Sequence, residues 1–294
     1  GAAMIISIAS GKGGTGKTTI ATNLAQVIST EMDTWFLDCD VEAPNAHLFL
    51  TPQIDKTQDV SLLIPEVDDS KCDGCGVCDE VCAFNAIVVL GDKAMVFPEI
   101  CHSCGGCSRC CPKKAISETP VRIGQVEAGR AGDIRFFRGV SDVGVAVVTP
   151  VVKAVKNKAR LADENTAVLI DAPPGTGCPV VAAVSGSDYC VLVTEPTPFG
   201  LNDLKLAVQL VRHMGIDCGV VINRCGLTGS ESDVDAYCES EGIPILARIP
   251  FDRRYAGCYA RGGIWVNEFP ELHNAFNALW ASITAELAAG GSAQ

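Results

Sequence analysis

Eight cysteines fall into two runs of matching spacing, and thiolates spaced in this way can hold inorganic clusters. The runs are Cys72, Cys75, Cys78 and Cys82, followed 29 residues later by Cys101, Cys104, Cys107 and Cys111. Three closely spaced thiolates can wrap one corner of a cuboidal cluster, while the fourth, beyond a short turn, reaches the other cluster. The spacing therefore predicts two 4Fe-4S clusters inside an internal repeat.

The ligand sets are expected to cross between the two runs. One cluster is predicted on Cys72, Cys75, Cys78 and Cys111, and the other on Cys101, Cys104, Cys107 and Cys82. Both runs resemble those of bacterial two-cluster ferredoxins, except that Ala83 follows Cys82 where proline is usual. Cys110 is a further thiol, but only Cys111 keeps the repeat register. Zinc is the alternative, because it also uses Cys-x2-Cys pairs, although zinc sites do not need two matched quartets.

A glycine-rich segment between an apolar run and a helical pattern matches the P-loop motif. It reads Gly11-Lys12-Gly13-Gly14-Thr15-Gly16-Lys17-Thr18 and is followed by Thr19. Backbone N–H groups and a helix N-terminus would bind phosphates, with Lys17 on the β- and γ-phosphates, Thr18 on Mg²⁺ and Thr19 on the α-phosphate. The motif predicts ATP and Mg²⁺ as ligands; a ligand-free turn is the alternative.

The additional lysine, Lys12, resembles the one in the deviant Walker A motif of the MinD/Mrp/nitrogenase-iron-protein family of ATPases. In that family the early lysine reaches the nucleotide of a partner subunit. The resemblance therefore implies an ATPase that forms a homodimer through its nucleotide sites. The alternative for Lys12 is a solvated loop lysine.

Three aspartates resemble further parts of the same family's site. Asp38 and Asp40 resemble switch I, where one aspartate lies near Mg²⁺ and the other positions the attacking water. Asp171 ends an apolar run and precedes Pro173-Pro174-Gly175, which resembles the Walker B aspartate and switch II. The resemblance thus implies catalytic roles for Lys12, Lys17 and these three aspartates.

Two later segments resemble the family's adenine-contacting positions. They contribute Asn223, Arg224, Pro250 and Asp252. Asn and Pro also end strands for structural reasons, so a purely structural role is the alternative.

Cys178 lies seven residues after Asp171, a spacing similar to that of a cluster-ligating cysteine in the nitrogenase iron protein. Two such thiolates facing each other across a dimer axis would supply only half of the ligands for a shared cluster. Cys178 is therefore interpreted either as a metal or redox ligand or as a structural thiol.

Strands alternating with helices surround these motifs and predict an α/β fold with a mostly parallel, doubly wound sheet. Apolar runs predict strands at 4–9, 34–37, 167–170, 189–194, 219–222 and 245–249, with helices at 150–161, 200–214 and 231–241. The cysteine-dense stretch 65–120 is predicted to be an inserted α+β ferredoxin domain. Residues 4–64 and 121–290 would then form a discontinuous ATPase domain.

Composition excludes several other classes of protein. The 294 residues carry 35 acidic and 23 basic side chains, so the average surface repels a nucleic-acid backbone. No apolar run approaches the length of a membrane span, and no export signal follows Met4, so a cytoplasmic protein without membrane insertion is expected. Sixteen cysteines in a reducing compartment favour metal ligation over disulfides.

The sequence combines a phosphate-sensing switch with two predicted iron–sulfur clusters. This combination suggests nucleotide-gated electron transfer to an unidentified redox partner. A metallocluster assembly or carrier factor, delivering clusters to an accepting protein, is the second hypothesis. A membrane-associated spatial regulator is the third, but the apolar stretch 271–288 has no lysine or arginine and is expected to pack on the core.

Overall fold

The computed structural model describes residues 3–227 and 231–290 of the chain, which build a large sheet flanked by helices. The strands are β1 (Met4–Ala9), β2 (Asp33–Asp38), β3 (Gln53–Val67), β4 (Ile87–Leu90), β5 (Lys93–Val96), β6 (Ile116–Ala131), β7 (Ile134–Ser141), β8 (Thr166–Asp171), β9 (Tyr189–Thr194), β10 (Cys218–Cys225) and β11 (Ile245–Pro250). The α-helices are α1 (Lys17–Ile28), α2 (His47–Leu50), α3 (Val77–Val81), α4 (Gly106–Cys110), α5 (Thr149–Lys156), α6 (Cys178–Val184), α7 (Pro198–His213), α8 (Glu231–Glu241), α9 (Arg253–Ala260), α10 (Trp265–Glu268) and α11 (Pro270–Gly290).

Over these described residues the main sheet has nine strands in the order β11-β10-β9-β1-β8-β2-β7-β6-β3. The pairs from β11 to β7 are all parallel, whereas β6 runs antiparallel to both β7 and β3. Parallel strands need covering on both faces. The predicted α/β fold with a mostly parallel sheet is confirmed.

Alternating side chains of the central strand β8 show how the sheet is covered. Val168 and Ile170 pack into a core cluster that includes residues of α5 and α7. Ala167 and Leu169 point to the opposite face and pack with residues of α1 and α11. All four side chains are fully buried, because successive residues of a strand face opposite sides of the sheet.

The edge strands β3 and β6 form a long antiparallel ribbon. Their pairing runs from Gln53–Arg130 to Val67–Ile116, whereas β6 pairs with β7 only from residue 124 to residue 131. The eight residues 116–123 therefore extend beyond β7 by roughly 25 Å at about 3.4 Å per residue. They extend past the C-terminal end of β7, so the ribbon projects from the sheet edge where the parallel strands end.

Residues 68–115 form a small unit at the tip of this ribbon. It contains the short helices α3 and α4 and the hairpin β4–β5. The domain boundaries predicted at 65 and 120 fall inside β3 and β6, since these strands continue the main sheet into the tip unit. The division into two domains stays a prediction.

The backbone of the tip unit repeats with the same 29-residue offset as its cysteines. Left-handed φ angles occur at Gly74 and Ser103, at Gly76 and Gly105, and at Asn85 and Lys114. In each half the second of these residues is the N-cap of a short helix, α3 or α4. The sequence repeat therefore corresponds to a repeated turn geometry.

The C-terminal helix α11 lies against the sheet. Its side chains Leu272, Phe276, Leu279 and Ile283 are buried in the core cluster on the α1 face. No helix in the described part of the chain combines the length and apolar character that a membrane crossing requires.

Candidate nucleotide site and cysteine-lined cavities

The predicted phosphate loop lies between β1 and α1 at the C-terminal edge of the parallel strands. Gly14 and Gly16 have φ angles of 82° and 89°, a conformation that favours glycine. Gly16 immediately precedes α1, which begins at Lys17. The loop borders a cavity of about 390 Å³ whose lining includes Lys12, Gly13, Gly14, Gly16, Lys17, Thr18 and Thr19.

Lys17, Thr18 and Asp171 form a buried charged cluster at the base of the loop. The Lys17 Nζ donates to Asp171 Oδ1, and the Thr18 hydroxyl donates to Asp171 Oδ2 over 2.7 Å. The Asp171 side chain is fully buried and that of Lys17 is 7% exposed. The fold thus brings together three predicted residues from two distant parts of the sequence, because β1 and β8 are adjacent parallel strands.

Asp38 and Asp40 lie at the end of the next strand, β2. The Asp38 carboxylate accepts from the backbone N–H groups of Asp40 and Ala46, each over 3.2 Å. Burial, together with the nearby Asp171 carboxylate, raises the pKa of Asp38 to about 8. Asp40 lines the cavity, and burial raises its pKa as well. Asp38 organises the segment after β2, while Asp40 faces the nucleotide cavity.

Asn223 reaches the phosphate loop from the end of β10. Its side-chain amide donates to the Thr15 carbonyl over 2.8 Å, and a Cβ on Gly16 would lie 2.3 Å from the same amide nitrogen. Asn223 lines the cavity and also holds the loop in position, and its contact with adenine stays a prediction.

The cavity lining also contains Arg224, Pro250 and Asp252, and Phe251 lies between the last two. Four further lining residues were missed by sequence reasoning, namely Leu227 and the aromatic residues Tyr255, Tyr259 and Trp265. Asp252 caps α9, accepting from the Arg254 backbone N–H over 2.7 Å. Hydrogen bonds from the Arg254 guanidinium and from this N–H lower the pKa of Asp252. The signal available in the sequence was the pair Tyr255 and Tyr259, four residues apart and therefore on one helix face.

Lys12 lines the cavity but is also bound within its own chain. Its Nζ lies 3.7 Å from Glu195 Oε2, and Arg224 contacts the other carboxylate oxygen. Glu195 directly follows β9 and was not predicted from the sequence.

Two cavities in the tip unit are lined by the predicted cysteine quartets. One is bordered by Cys72, Cys75, Cys78 and Cys111. The other is bordered by Cys82, Cys101, Cys104 and Cys107. The structure thus groups the thiols as the crossed ligand sets require, with one cysteine of each quartet coming from the other run. Within residues 3–227 and 231–290, no three His, Cys, Asp or Glu side chains are grouped to hold a single metal ion.

Backbone N–H groups point at several of these sulfurs. The Ala86 N–H donates to Cys82 Sγ over 3.2 Å, and the Ala115 N–H donates to Cys111 Sγ over 3.4 Å. These two contacts are related by the 29-residue offset. Such donors stabilise negative charge on sulfur, so the donor set fits thiolate-held 4Fe-4S clusters.

Cys110 and Cys178 do not line either of these two cavities. Cys178 is exposed at the start of α6, in a groove that it shares with Lys153, Lys156 and Arg160. Cys110 is exposed at the end of α4 and borders neither cavity. A ligand role for Cys178 stays a hypothesis that needs a second subunit.

A family model for the CobQ/CobB/MinD/ParA nucleotide binding domain matches residues 6–264. The chain belongs to this family. The CobQ/CobB/MinD/ParA assignment agrees with the position of the phosphate loop at the carboxyl edge of a parallel sheet. The match spans the tip unit as well as the sheet.

Individual proteins are similar to this chain over most of its length. An uncharacterized protein of Methanocaldococcus jannaschii is 30% identical over 92% of this chain and 94% of its own. An iron-sulfur cluster carrier protein of Pyrococcus abyssi is 23% identical over 84% of this chain and 74% of its own. The structure of the septum site-determining protein MinD of Pyrococcus horikoshii with Mg-ADP superposes with a TM-score of 0.61, at 22% identity and 96% coverage of both chains. At that identity, the superposition shows the shared fold alone.

Proposed function

We propose that this chain is a homodimeric ATPase whose nucleotide state controls electron transfer through two 4Fe-4S clusters. The observation that carries the proposal is the presence of two crossed cysteine quartets around two cavities, on a ribbon rooted beside the nucleotide cavity. A cytoplasmic location and an unidentified redox partner belong to the same proposal.

The nucleotide side of the proposal assigns ATP and Mg²⁺ to the cavity bordered by the phosphate loop. Lys17 would pair with the β- and γ-phosphates and Thr18 with Mg²⁺, in exchange for their present contacts with Asp171. Asp40, which faces the cavity, would orient the attacking water. Lys12 would contact the nucleotide of the partner subunit.

The part of the cavity that would bind the base is lined by aromatic side chains and is apolar enough to bind an adenine ring. Tyr255 packs on Trp265 with ring centroids 5.8 Å apart, and Tyr259 packs on Phe49 at 5.0 Å. These contacts fix three of the rings that line the cavity, so a planar base would bind against side chains that are already ordered.

The two quartets would each hold one cluster through four thiolates, which must lose their protons to bind iron. When bound, each cluster supplies one-electron transfer. Cys110 is assigned no iron, since it borders neither cavity.

A hydrogen-bonded connection joins the nucleotide cavity to the ribbon. The Ser141 N–H and hydroxyl both donate to the Val41 carbonyl, over 2.9 and 3.1 Å. Val41 follows Asp40, and Ser141 pairs with Gly124 at the point where the ribbon leaves the sheet. A Cβ on Gly139 would lie 2.4 Å from Val41, so this contact is tightly packed. Movement of the Asp40 segment would therefore act on the root of the ribbon.

An anaerobic redox titration followed by electron paramagnetic resonance, with and without MgATP, tests the proposal. We expect two 4Fe-4S signals and a nucleotide-dependent shift of at least one potential. Protein that is colourless and lacks acid-labile sulfide after anaerobic purification would refute the cluster assignment.

Pairs of cysteine substitutions test the crossed ligand sets. Cys72→Ser with Cys111→Ser should remove one cluster, because both thiols line one cavity. Cys72→Ser with Cys82→Ser should disturb both clusters, because the two thiols line different cavities. Cys110→Ser is the matched control and should leave the iron content unchanged. Equal iron loss in the two double variants would contradict the crossing.

A second candidate function is delivery of iron–sulfur clusters to an accepting protein. It is favoured by the relative that is named an iron-sulfur cluster carrier protein and by the exposed Cys178. Unchanged potentials in MgATP, combined with cluster transfer to an apo-ferredoxin, would favour this function. Iron content that is unaffected by Cys178→Ser would exclude a third cluster at that cysteine.

A further inference from the structure

The two cysteine-lined cavities lie at different positions along the ribbon. The inner cavity, which is lined by Cys82, is also lined by Leu63 of β3 and Glu118 of β6. The outer cavity, which is lined by Cys72, is also lined by Ile116, where the pairing of these two strands ends. The inner cavity therefore lies nearer the main sheet, and the outer cavity lies nearer the tip of the ribbon.

Positions that are related by the 29-residue repeat carry different side chains at the two cavities. Phe84 and His102 line the inner cavity and stack with their ring centroids 3.7 Å apart. The corresponding residues of the other half are Lys113 and Asp73, which line the outer cavity. The Lys113 Nζ lies 3.2 Å from Asp73 Oδ2. The same two positions of the repeat thus form an aromatic stack at one cavity and an ion pair at the other.

The residues just before each cysteine run show the same difference. Phe97 and Ile100 are 39% and 44% exposed, and they correspond in the repeat to Asp68 and Lys71, which form an ion pair over 2.7 Å. The backbone turn is shared, since the Ile100 N–H donates to the Phe97 carbonyl and the Lys71 N–H donates to the Asp68 carbonyl. The two halves therefore have the same backbone turn but different side-chain chemistry.

The two kinds of rim act differently on charge inside a cavity. Reduction of an iron–sulfur cluster adds negative charge, which nearby cations and solvent stabilise and which an apolar cover disfavours. The Lys113 and Asp73 side chains are 53% and 47% exposed, so solvent reaches the rim of the outer cavity beside an ammonium group. At the inner cavity, the rings of Phe84 and His102 occupy the corresponding position.

One carboxylate also lines the inner cavity, but a cation lies close to it. The Glu118 Oε1 lies 3.2 Å from the Cβ position of Gly105, and Arg109 Nε lies 3.7 Å from the same point. The two opposite charges therefore partly offset each other. The repeat-related pairs at the rims remain as the main difference between the cavities.

We infer that the Phe84–His102 stack and the Lys113–Asp73 pair give the two proposed clusters unequal reduction potentials, with the lower potential at the inner cavity. The inference rests on the two-cluster assignment of the proposed function. An electron taken from a one-electron donor is then held at the outer cavity, near the tip of the ribbon. Transfer from the inner to the outer cavity oxidises one cluster and reduces the other, and no bond forms or breaks. Phe84 and Lys113 ligate no iron and act through the surroundings that they give each cluster.

Lys113→Met tests the outer cavity in an anaerobic redox titration followed by electron paramagnetic resonance, at a single pH and without nucleotide. The variant leaves the Asp73 carboxylate without its cation, so only the higher of the two potentials should fall. The equilibrium constant for reduction should decrease about threefold to tenfold, and the decrease should become smaller at 1 M salt, where exposed charges are screened. Lys93→Met is the matched control, because it breaks the similarly exposed Lys93–Asp69 pair and lines neither cavity.

An exchange of the rim pairs tests the inner cavity. Phe84→Lys combined with His102→Asp places the ion pair of the outer rim at the inner rim, so only the lower potential should rise. The converse exchange, Lys113→Phe combined with Asp73→His, should lower only the higher potential. Iron and acid-labile sulfide are measured in every variant, and contents equal to those of the wild type show that both clusters are retained.

The outcomes separate the inference from the function on which it rests. If the wild-type chain does not hold two clusters, the proposed function is wrong and the inference is overturned with it. If it holds two clusters of equal potential, the inference alone is overturned, whatever effect MgATP has. The same holds if Lys113→Met leaves both potentials unchanged, or if Lys113→Met and the Phe84 exchange shift the same signal.

Discussion

The nucleotide site and the tip unit are positioned by different means. Asp38 and Asp171 are buried at the ends of the adjacent strands β2 and β8, and Lys17 is buried at the start of α1, beside a nine-stranded sheet with a large core on each face. The cysteines of residues 68–115 are carried by short helices and turns, with only two small apolar clusters beneath them. The difference shows that a large core can hold charged side chains out of water, whereas a small unit with few buried apolar side chains needs a further source of stability such as bound metal.

Removal of iron should have the largest effect and should be confined to the tip unit. Few apolar side chains are buried in this unit, so binding of the proposed iron–sulfur clusters would supply part of its folding free energy. Anaerobic chelation should lower hydrogen-exchange protection in residues 68–115 by about 100-fold or more, while β1, β8 and β9 stay protected. Hydrogen exchange followed by mass spectrometry measures this protection. An equal loss of protection in the sheet would contradict the view that the two regions are stabilised by different means.

Lys17→Ala should act on the nucleotide site alone. Loss of the lysine proposed to neutralise the developing phosphate charge should lower the rate of ATP hydrolysis by about 10²–10³-fold. Iron content should not change, because the proposed cluster ligands all lie in the tip unit. Lys205→Ala, on the exposed side of α7, is the control for loss of a lysine. Iron loss in Lys17→Ala would show that the two regions are not independent.

Asp38→Asn should stabilise the nucleotide-free protein at alkaline pH. An acid whose pKa is raised from 3.8 to about 8 on folding keeps its proton in the native state while the unfolded state releases it, so stability falls as pH rises through this window. The variant lacks this decline, and its stability advantage over the wild type should widen by about 2–4 kcal/mol between pH 5 and pH 8. Urea unfolding at both pH values, without nucleotide or magnesium, provides the measurement. If the difference in stability between the variant and the wild type were the same at both pH values, Asp38 would not be held neutral by burial.

The smallest expected effect separates two glycines of the phosphate loop. Gly11→Ala places a Cβ against the Asp203 backbone and should lower the free energy of unfolding by about 1–3 kcal/mol. Gly13→Ala meets no atom within 4 Å and is the matched control. Thermal or urea unfolding without nucleotide distinguishes the two variants. An equal decrease in the free energy of unfolding for both variants would show that α7 does not pack rigidly on the loop.

Much of the sheet could be predicted because its strands are continuous apolar runs and its phosphate loop has a distinctive glycine pattern. The partner of an individual side chain could not be predicted from the sequence. The pairing of Lys17 with Asp171 and that of Lys12 with Glu195 each join residues more than 150 positions apart. The aromatic wall at Tyr255 and Trp265 was missed because aromatic residues at helical spacing usually pack in a core.

The sequence by itself determined the two cysteine runs, their 29-residue repeat, the phosphate loop and the alternation of strands and helices, because each of these depends on spacing along the chain. Tertiary structure alone decided which strands are neighbours, and therefore that Asp171 lies against Lys17 and that Glu195 lies beside Lys12. It also decided that β3 and β6 continue from the sheet into the cysteine unit. Strand order depends on how distant apolar faces pack together, and no local pattern of residues records that packing.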